Sequence, residues 1–265
     1  MSRIGRRFEE LRAKSEKALV CFLTTGDPDL ATTKALALEL ERAGIDALEL
    51  GVPFSDPLAD GPSIQASSFR ALKNGVNVSK VLELVADIRR TSQLPIVLMT
   101  YLNPAQAYGL ERFANDAGKA GVDGVIMTDM PPEEAGEWRD LAARNGIDTI
   151  FLLAPTSPPA RISSVAEAAS GFIYCVSRTG VTGAQKEVPL ELQTMIPAIR
   201  AVTDKPAVVG FGVSKPEHVR QVCEVADGAV VGSALVDMIA QGIGDGKMVS
   251  AVGDFARALK AATRQ

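Results

Sequence analysis

Apolar positions fall into two alternating patterns along the chain. Short unbroken runs rich in Val, Ile and Leu occur at ALVCFL (18–23), ALEL (47–50), PIVLMT (95–100), GVIM (124–127), TIFLL (149–153), FIYCV (172–176), AVVGF (207–211) and GAVV (228–231). Between them apolar residues recur every three or four positions, at 30–43, 64–73, 78–91, 110–120, 133–144, 160–169, 190–202, 217–225, from Ser233 onward, and at 249–262. Unbroken runs of strand length fit a parallel sheet covered on both faces, and the longer period fits the helices that cover it. Gly or Asn follows several helical segments, as in RAGID, KAGVD and RNGID, which suits helix C-termini. Eight strand–helix units in 265 residues predict an α/β chain folded as a single (β/α)8 TIM barrel, one domain over 1–265. A doubly wound open sheet is the other arrangement the pattern admits. Ahead of the first strand, Ile4, Phe8 and Leu11 share one helical face, which predicts an amphipathic helix covering another surface.

Active sites of such barrels lie at the C-terminal ends of the strands. The run ALEL breaks its own pattern there, because Glu49 interrupts it. Side chains alternate along a strand, so Leu48 and Leu50 share one face and Glu49 shares the other with Ala47. With the two leucines toward the helices, Glu49 points into the barrel. A carboxylate there loses solvent, its pKa rises, and it can work as a general acid and base near neutral pH. The competing role is an ion pair with a barrel Lys or Arg, but the predicted strands supply neither. Asp60 in PLADGP and Asp56 in FSDP lie in the following loop, where each can equally be a turn or cap residue. Two carboxylates from one strand end and its loop can also divide acid and base roles. A second cluster is glycine-rich: SRTGVTGAQ (177–185), GFGVSKPE (210–217) and VVGSALV (230–236) follow successive strands. Backbone N–H groups freed by glycine, with a helix starting at Ser233, predict an anion cradle and hence a phosphorylated substrate.

Composition and charge narrow the chemistry further. The net charge of −4 and pI near 5.2 argue against nucleic acid or an anionic membrane as partner. No apolar run approaches the roughly 18 residues of a membrane helix, and the basic N-terminal stretch lacks the apolar core of a secretory signal. Cys21, Cys175 and Cys223 form no CxxC, which predicts free thiols in a core and a reducing, cytoplasmic setting. The single histidine, His218, is expected on a surface helix, so a protein metal site or a His-based triad has little to draw on. Tyr174 occupies the middle of the sixth strand, where a Schiff-base aldolase needs a lysine, and no GxGxxG opens the first strand–helix unit. What remains is carboxylate acid–base work on a phosphorylated small molecule.

LELGVPFSDPLADGPSIQ, SRTGVTGA, GFGVS and VGSALV, in that order and spacing, closely resemble the tryptophan synthase alpha chain family over nearly the whole length. The resemblance implies a barrel whose N-terminal helix covers its bottom. It also implies a lyase of tryptophan biosynthesis, cleaving indole-3-glycerol phosphate to indole and glyceraldehyde 3-phosphate. By resemblance Glu49 is the shuttling acid and base, and Asp60 binds the indole N–H. Phe22, Met99, Tyr101, Leu152 and Tyr174 surround the indole, with Tyr174 also orienting Glu49, and Thr182 closes onto Asp60. Gly183, Gly212, Gly232 and Ser233 match the phosphate cradle. The resemblance further implies a beta-chain partner in an α2β2 assembly that carries pyridoxal phosphate (PLP), and neither metal nor cofactor in this chain. The segments 53–57, 103–108 and 129–132 are expected to meet the partner. Thr25, Leu102 and Thr128 stand at strand ends where the family varies. Three other activities share parts of the pattern: a phosphosugar isomerase or epimerase, a non-catalytic barrel, and an indole-releasing enzyme that works without a beta chain.

Overall fold

A computed structural model describes residues 1–176, 190–210 and 212–264. The first half runs α1 (Arg3–Ala13), β1 (Ala18–Thr24), α2 (Leu30–Arg42), β2 (Ala47–Gly51), α3 (Pro62–Lys73), α4 (Val78–Arg89), β3 (Ile96–Thr100), α5 (Leu102–Tyr108), α6 (Leu110–Ala120) and β4 (Gly124–Met127). The second runs α7 (Gly136–Arg144), β5 (Asp148–Leu153), α8 (Pro159–Ala168), β6 (Ile173–Val176), α9 (Leu190–Arg200), β7 (Ala207–Gly210), α10 (Pro216–Val225), β8 (Gly228–Val231), α11 (Ser233–Gln241) and α12 (Met248–Ala261). All eight strands pair in parallel, and β1 pairs with both β2 and β8, so the sheet closes and the open alternative is excluded. Gly44, Gly121 and Gly146, which follow α2, α6 and α7, adopt positive φ of 90°, 90° and 68°. This is the left-handed stop that RAGID, KAGVD and RNGID predicted.

Strand alternation sorts the apolar side chains into two layers. Leu19, Cys21, Leu23, Leu48 and Leu50 pack outward under the helices. Val20, Ala47, Val97, Ile126, Ile150, Phe172, Val208 and Val230 fill the barrel interior, with Met99, Leu152 and Tyr174 packed against them. Ile4 and Phe8 of α1 join the inner layer, so this helix covers the barrel at the strand N-termini. Gly124 makes room for it: a Cβ there would stand 2.9 Å from Ile4 Cδ1.

Polar residues lock the same end. Asp46, Asp123 and Asp227 each precede an even-numbered strand, and each carboxylate accepts an N–H from the start of the odd-numbered strand before it. The distances are 2.6 Å to Leu19 N, 2.8 Å to Ile96 N and 3.0 Å to Ala207 N. Ser170 Oγ does the same for Thr149 N at 2.9 Å. All four residues also return their own N–H to the carbonyl of that partner, at 2.8–3.0 Å. Cations then cover the acids. Arg7 and Lys260 each lie 2.7 Å from Asp46, Arg3 lies 2.9 Å from Asp123, and Arg89 also pairs with Asp123. The arginines on α1 therefore register the plug helix on the barrel.

Two expectations need adjustment. Residues 102–108 form α5 rather than a plain loop; the helix is short and holds Pro104 near its start, so it shows no helical period. His218 is 8% exposed, not on the surface: it shares the inner face of α10 with Val219, Val222 and Cys223, and its Nδ1 lies 3.4 Å from Ser214 N as an acceptor. The three cysteines are buried free thiols, as expected, and burial pushes Cys175 and Cys223 up to about 12. Among the described residues, no helix is long and apolar enough to cross a membrane.

Candidate active site

Glu49 stands in β2 between two leucines of the outer layer, so strand geometry turns it inward beside Phe22 of β1 and Val97 of β3 in the barrel register. It is 1% exposed, and neither carboxyl oxygen has a hydrogen-bond partner among the described residues. No described lysine or arginine pairs with it. Burial, then the charge of Asp60, pushes its pKa up to about 8. An unpartnered acid in this setting stays protonated at neutral pH, because the charged form has neither solvent nor a counter-ion.

Asp60 is half-buried in the loop between β2 and α3. Its N–H closes a turn on the Pro57 carbonyl at 3.1 Å, so the turn reading is right for the backbone. The side chain does something else. Gly61 is the N-cap of α3, without a side-chain cap, while the Asp60 carboxylate faces the Tyr101 hydroxyl. Burial lifts Asp60 to about 6, and the nearby Tyr101 hydroxyl opposes that rise. Asp56 is exposed and receives the Ser55 hydroxyl at 2.6 Å, so it stays outside this pair.

Phe22 is buried, and Met99, Leu152 and Tyr174 are the partly buried members of the interior at its C-terminal end. Two inward glycines make room for the rings, which the sequence reading did not single out. A Cβ on Gly51 would lie 2.7 Å from Phe22 Cζ, and one on Gly210 would collide with the Tyr174 hydroxyl and ring. The signal available was a glycine at an inward strand position, with an aromatic on the neighbouring strand two residues before its register partner. Tyr101 is more than an apolar wall: its hydroxyl accepts the Ala59 N–H at 2.9 Å and its ring lies 5.2 Å from that of Phe54. Tyr174 does not orient Glu49 through a hydrogen bond, since Glu49 makes none among the described residues. It faces the acids electrostatically, and burial followed by the charges of Glu49 and Asp60 drives its phenol well above 10.

At the cradle, Gly212 holds φ of 56°, a conformation that favours glycine, just past β7. Gly232 is the N-cap of α11 and Ser233 its first residue, so the leading N–H groups of that helix have no partners within it. Thr182 and Gly183 lie outside the described residues. Among the described residues no group of His, Cys, Asp and Glu is arranged to hold a metal. A cavity of about 440 Å³ opens at the same barrel end beside the acids, not over them. Its lining includes Pro53, Phe54, Asn103, Pro104 and Tyr108.

The tryptophan synthase alpha chain family model matches residues 8–264. The chain belongs to that family. The alpha chain of Citrifermentans bemidjiense is 54% identical over 260 residues, covering 98% of this chain and 97% of that one. The alpha chain of Caldanaerobacter subterraneus is 46% identical, covering 98% and 99%. Among solved structures, the alpha chain from Legionella pneumophila superposes with TM-score 0.90 at 37% identity, covering 99% of this chain and 97% of that one. A chain of Mycobacterium tuberculosis tryptophan synthase gives 0.91 at 37% identity, covering 100% and 99%. Members of the family are carbon–carbon lyases of tryptophan biosynthesis, and their alpha reaction cleaves indole-3-glycerol phosphate to indole and glyceraldehyde 3-phosphate.

Proposed function

We propose that Glu49 and Asp60 carry out this cleavage as a protonated acid and a charged stabiliser, respectively. The observation that carries the reading is the pair itself: two coupled carboxyls at about 8 and about 6 inside an aromatic-walled barrel mouth. At neutral pH Glu49 holds its proton and Asp60 has lost its own. Glu49 gives the proton to C3 of the indole ring, whose nitrogen supplies the electrons. Positive charge grows on that nitrogen, and the Asp60 carboxylate accepts its N–H and offsets the charge. Glu49, now a carboxylate, takes the proton of the glycerol hydroxyl next to the bond being broken. The O–H electron pair left on that oxygen becomes the second bond of the aldehyde carbonyl, the C–C electrons return to the ring, and Glu49 ends protonated as it began. The ring nitrogen is the electron sink, so the step calls for neither a Schiff base nor a metal.

Phe22, Met99, Tyr101, Leu152 and Tyr174 enclose the indole in this reading. Gly212, Gly232 and Ser233, with Gly183, hold the phosphate through backbone N–H groups in the same reading, and Thr182 closes onto Asp60. A beta chain completes an α2β2 assembly in the cytoplasm. The PLP belongs to that partner. The partner meets the rim of the 440 Å³ cavity, which two of the three expected contact segments line. Indole release from indole-3-glycerol phosphate, measured on the chain alone and with a beta chain added, tests the proposal. Slow release that rises strongly with the partner is expected. Fast release by the chain alone would favour the stand-alone activity, and none in either condition would refute the assignment.

A further inference from the structure

We infer that Gln65 is a positioning residue for the reaction, one that tethers the turn delivering Asp60. The inference rests on the reading of Asp60 given above. The motif LELGVPFSDPLADGPSIQ ends on this glutamine, and the cleavage chemistry leaves it without a task. Gln65 lies half-buried in the first turn of α3. Its Nε2 donates to the Asp60 carbonyl at 2.8 Å and reaches the Pro57 carbonyl at 3.5 Å. Those carbonyls mark the two ends of the turn closed by Asp60 N–H, so one amide grips both. Two carbonyl oxygens require a donor, which fixes the way the amide faces.

The helix bearing this amide is anchored without the loop's help. Arg70 meets Asp27 through two hydrogen bonds of 2.7 and 2.8 Å, and the Ser67 hydroxyl lies 2.6 Å from that of Thr24 on β1. The loop offers little packing of its own, because Leu58 at its tip is 93% exposed. Gln65 therefore joins a fixed helix to a poorly packed turn, and Tyr101 adds a second tie at Ala59. A lysine or arginine here could also reach the carbonyls, but it would bring a cation beside Asp60 and compete for the charge meant for the substrate. The neutral amide holds the backbone and leaves the carboxylate free.

Gln65→Ala and the nearly isosteric Gln65→Met are to be assayed for indole release, alone and combined with Asp60→Asn. Each single substitution is expected to lower kcat roughly tenfold, within what an ångström of misplacement can cost. KM should stay within about twofold, because the phosphate cradle is untouched. In the Asp60→Asn background the same substitutions should lower kcat no further, a non-additivity that a merely structural role would not produce. Should Gln65→Ala fail to fold, Gln65→Met keeps the volume and carries the test. Unchanged kcat in the Gln65 variants beside an impaired Asp60→Asn would overturn the tether alone, as would a full loss persisting in the double variant. Parent turnover in Asp60→Asn would overturn the reading of Asp60 and the tether with it.

Discussion

A carboxyl without a partner inside an apolar barrel sets a pH dependence that can be worked out from its environment. Glu49 has a folded-state pKa of about 8, above its ordinary 4.5, so the folded chain keeps the proton longer than the unfolded one. Its burial carries no ionisation cost below about 4.5; the cost grows with rising pH and is complete above about 8. Glu49→Gln removes that dependence. Chemical denaturation of both proteins across this range should show the variant gaining on its parent as pH rises, by on the order of a few kcal/mol. The same substitution should lower indole release about 10²-fold or more, as expected for a lost general acid. In the parent, kcat/KM should rise through about 6 as Asp60 ionises and fall through about 8 as Glu49 does, the limbs belonging to the coupled pair. Tyr101→Phe keeps the ring and loses both hydroxyl contacts, so kcat should drop while the pocket still binds indole, as read by fluorescence titration. Glu49 was legible in the sequence because a charge interrupts a strand pattern. Asp60 was only half legible, since loop spacing shows a turn but not which way the side chain faces. The second task of Tyr101 was invisible, because Ala59 reaches it only through the loop's fold.

Elements were legible where they are long and periodic. The eight strands and their covering helices follow from the alternation of unbroken and periodic apolar runs. Two failures have physical causes. The α5 helix is short and contains a proline, so its seven residues show no period. On α10, the spacing of His218 and Val222 did mark a buried face, but a polar residue type was taken to mean solvent. The plug helix α1 was legible as amphipathic, whereas its pairing to Asp46 and Asp123 could not be read, because those partners are brought in by closure of the sheet. That pairing predicts a clean separation of effects. Asp46→Asn leaves Lys260, itself 8% exposed at the side chain, and Arg7 without their carboxylate. Urea unfolding should show a loss of about 3 kcal/mol, as expected for a broken buried pair. Indole release at a temperature where the variant remains folded should be close to that of the parent.

The whole molecule divides its work along the barrel axis. Buried ion pairs and backbone locks occupy the strand N-termini, while acids, glycines and loops occupy the other end. The cavity beside the mouth, proposed above to meet the partner, belongs to the second end, and its lining includes Phe54, whose ring leans on Tyr101. Asn103→Trp, which fills that cavity from an exposed position, should weaken association with a beta chain by size-exclusion co-elution. Indole release by the chain alone should stay within about twofold of the parent, since no acid or cradle residue changes. The four locks at the bottom have a different consequence, for how this chain can be divided. Each joins an odd strand to the even strand that follows it, so the closed sheet is built of four quarters, each latched within itself. A break between β4 and β5, at Asn145 and Gly146, would leave every latch whole, two in each half. A break between β1 and β2, at Gly44, would sever one. Split genes, circular permutants and recombined half-barrels should tolerate the first kind of boundary and resist the second.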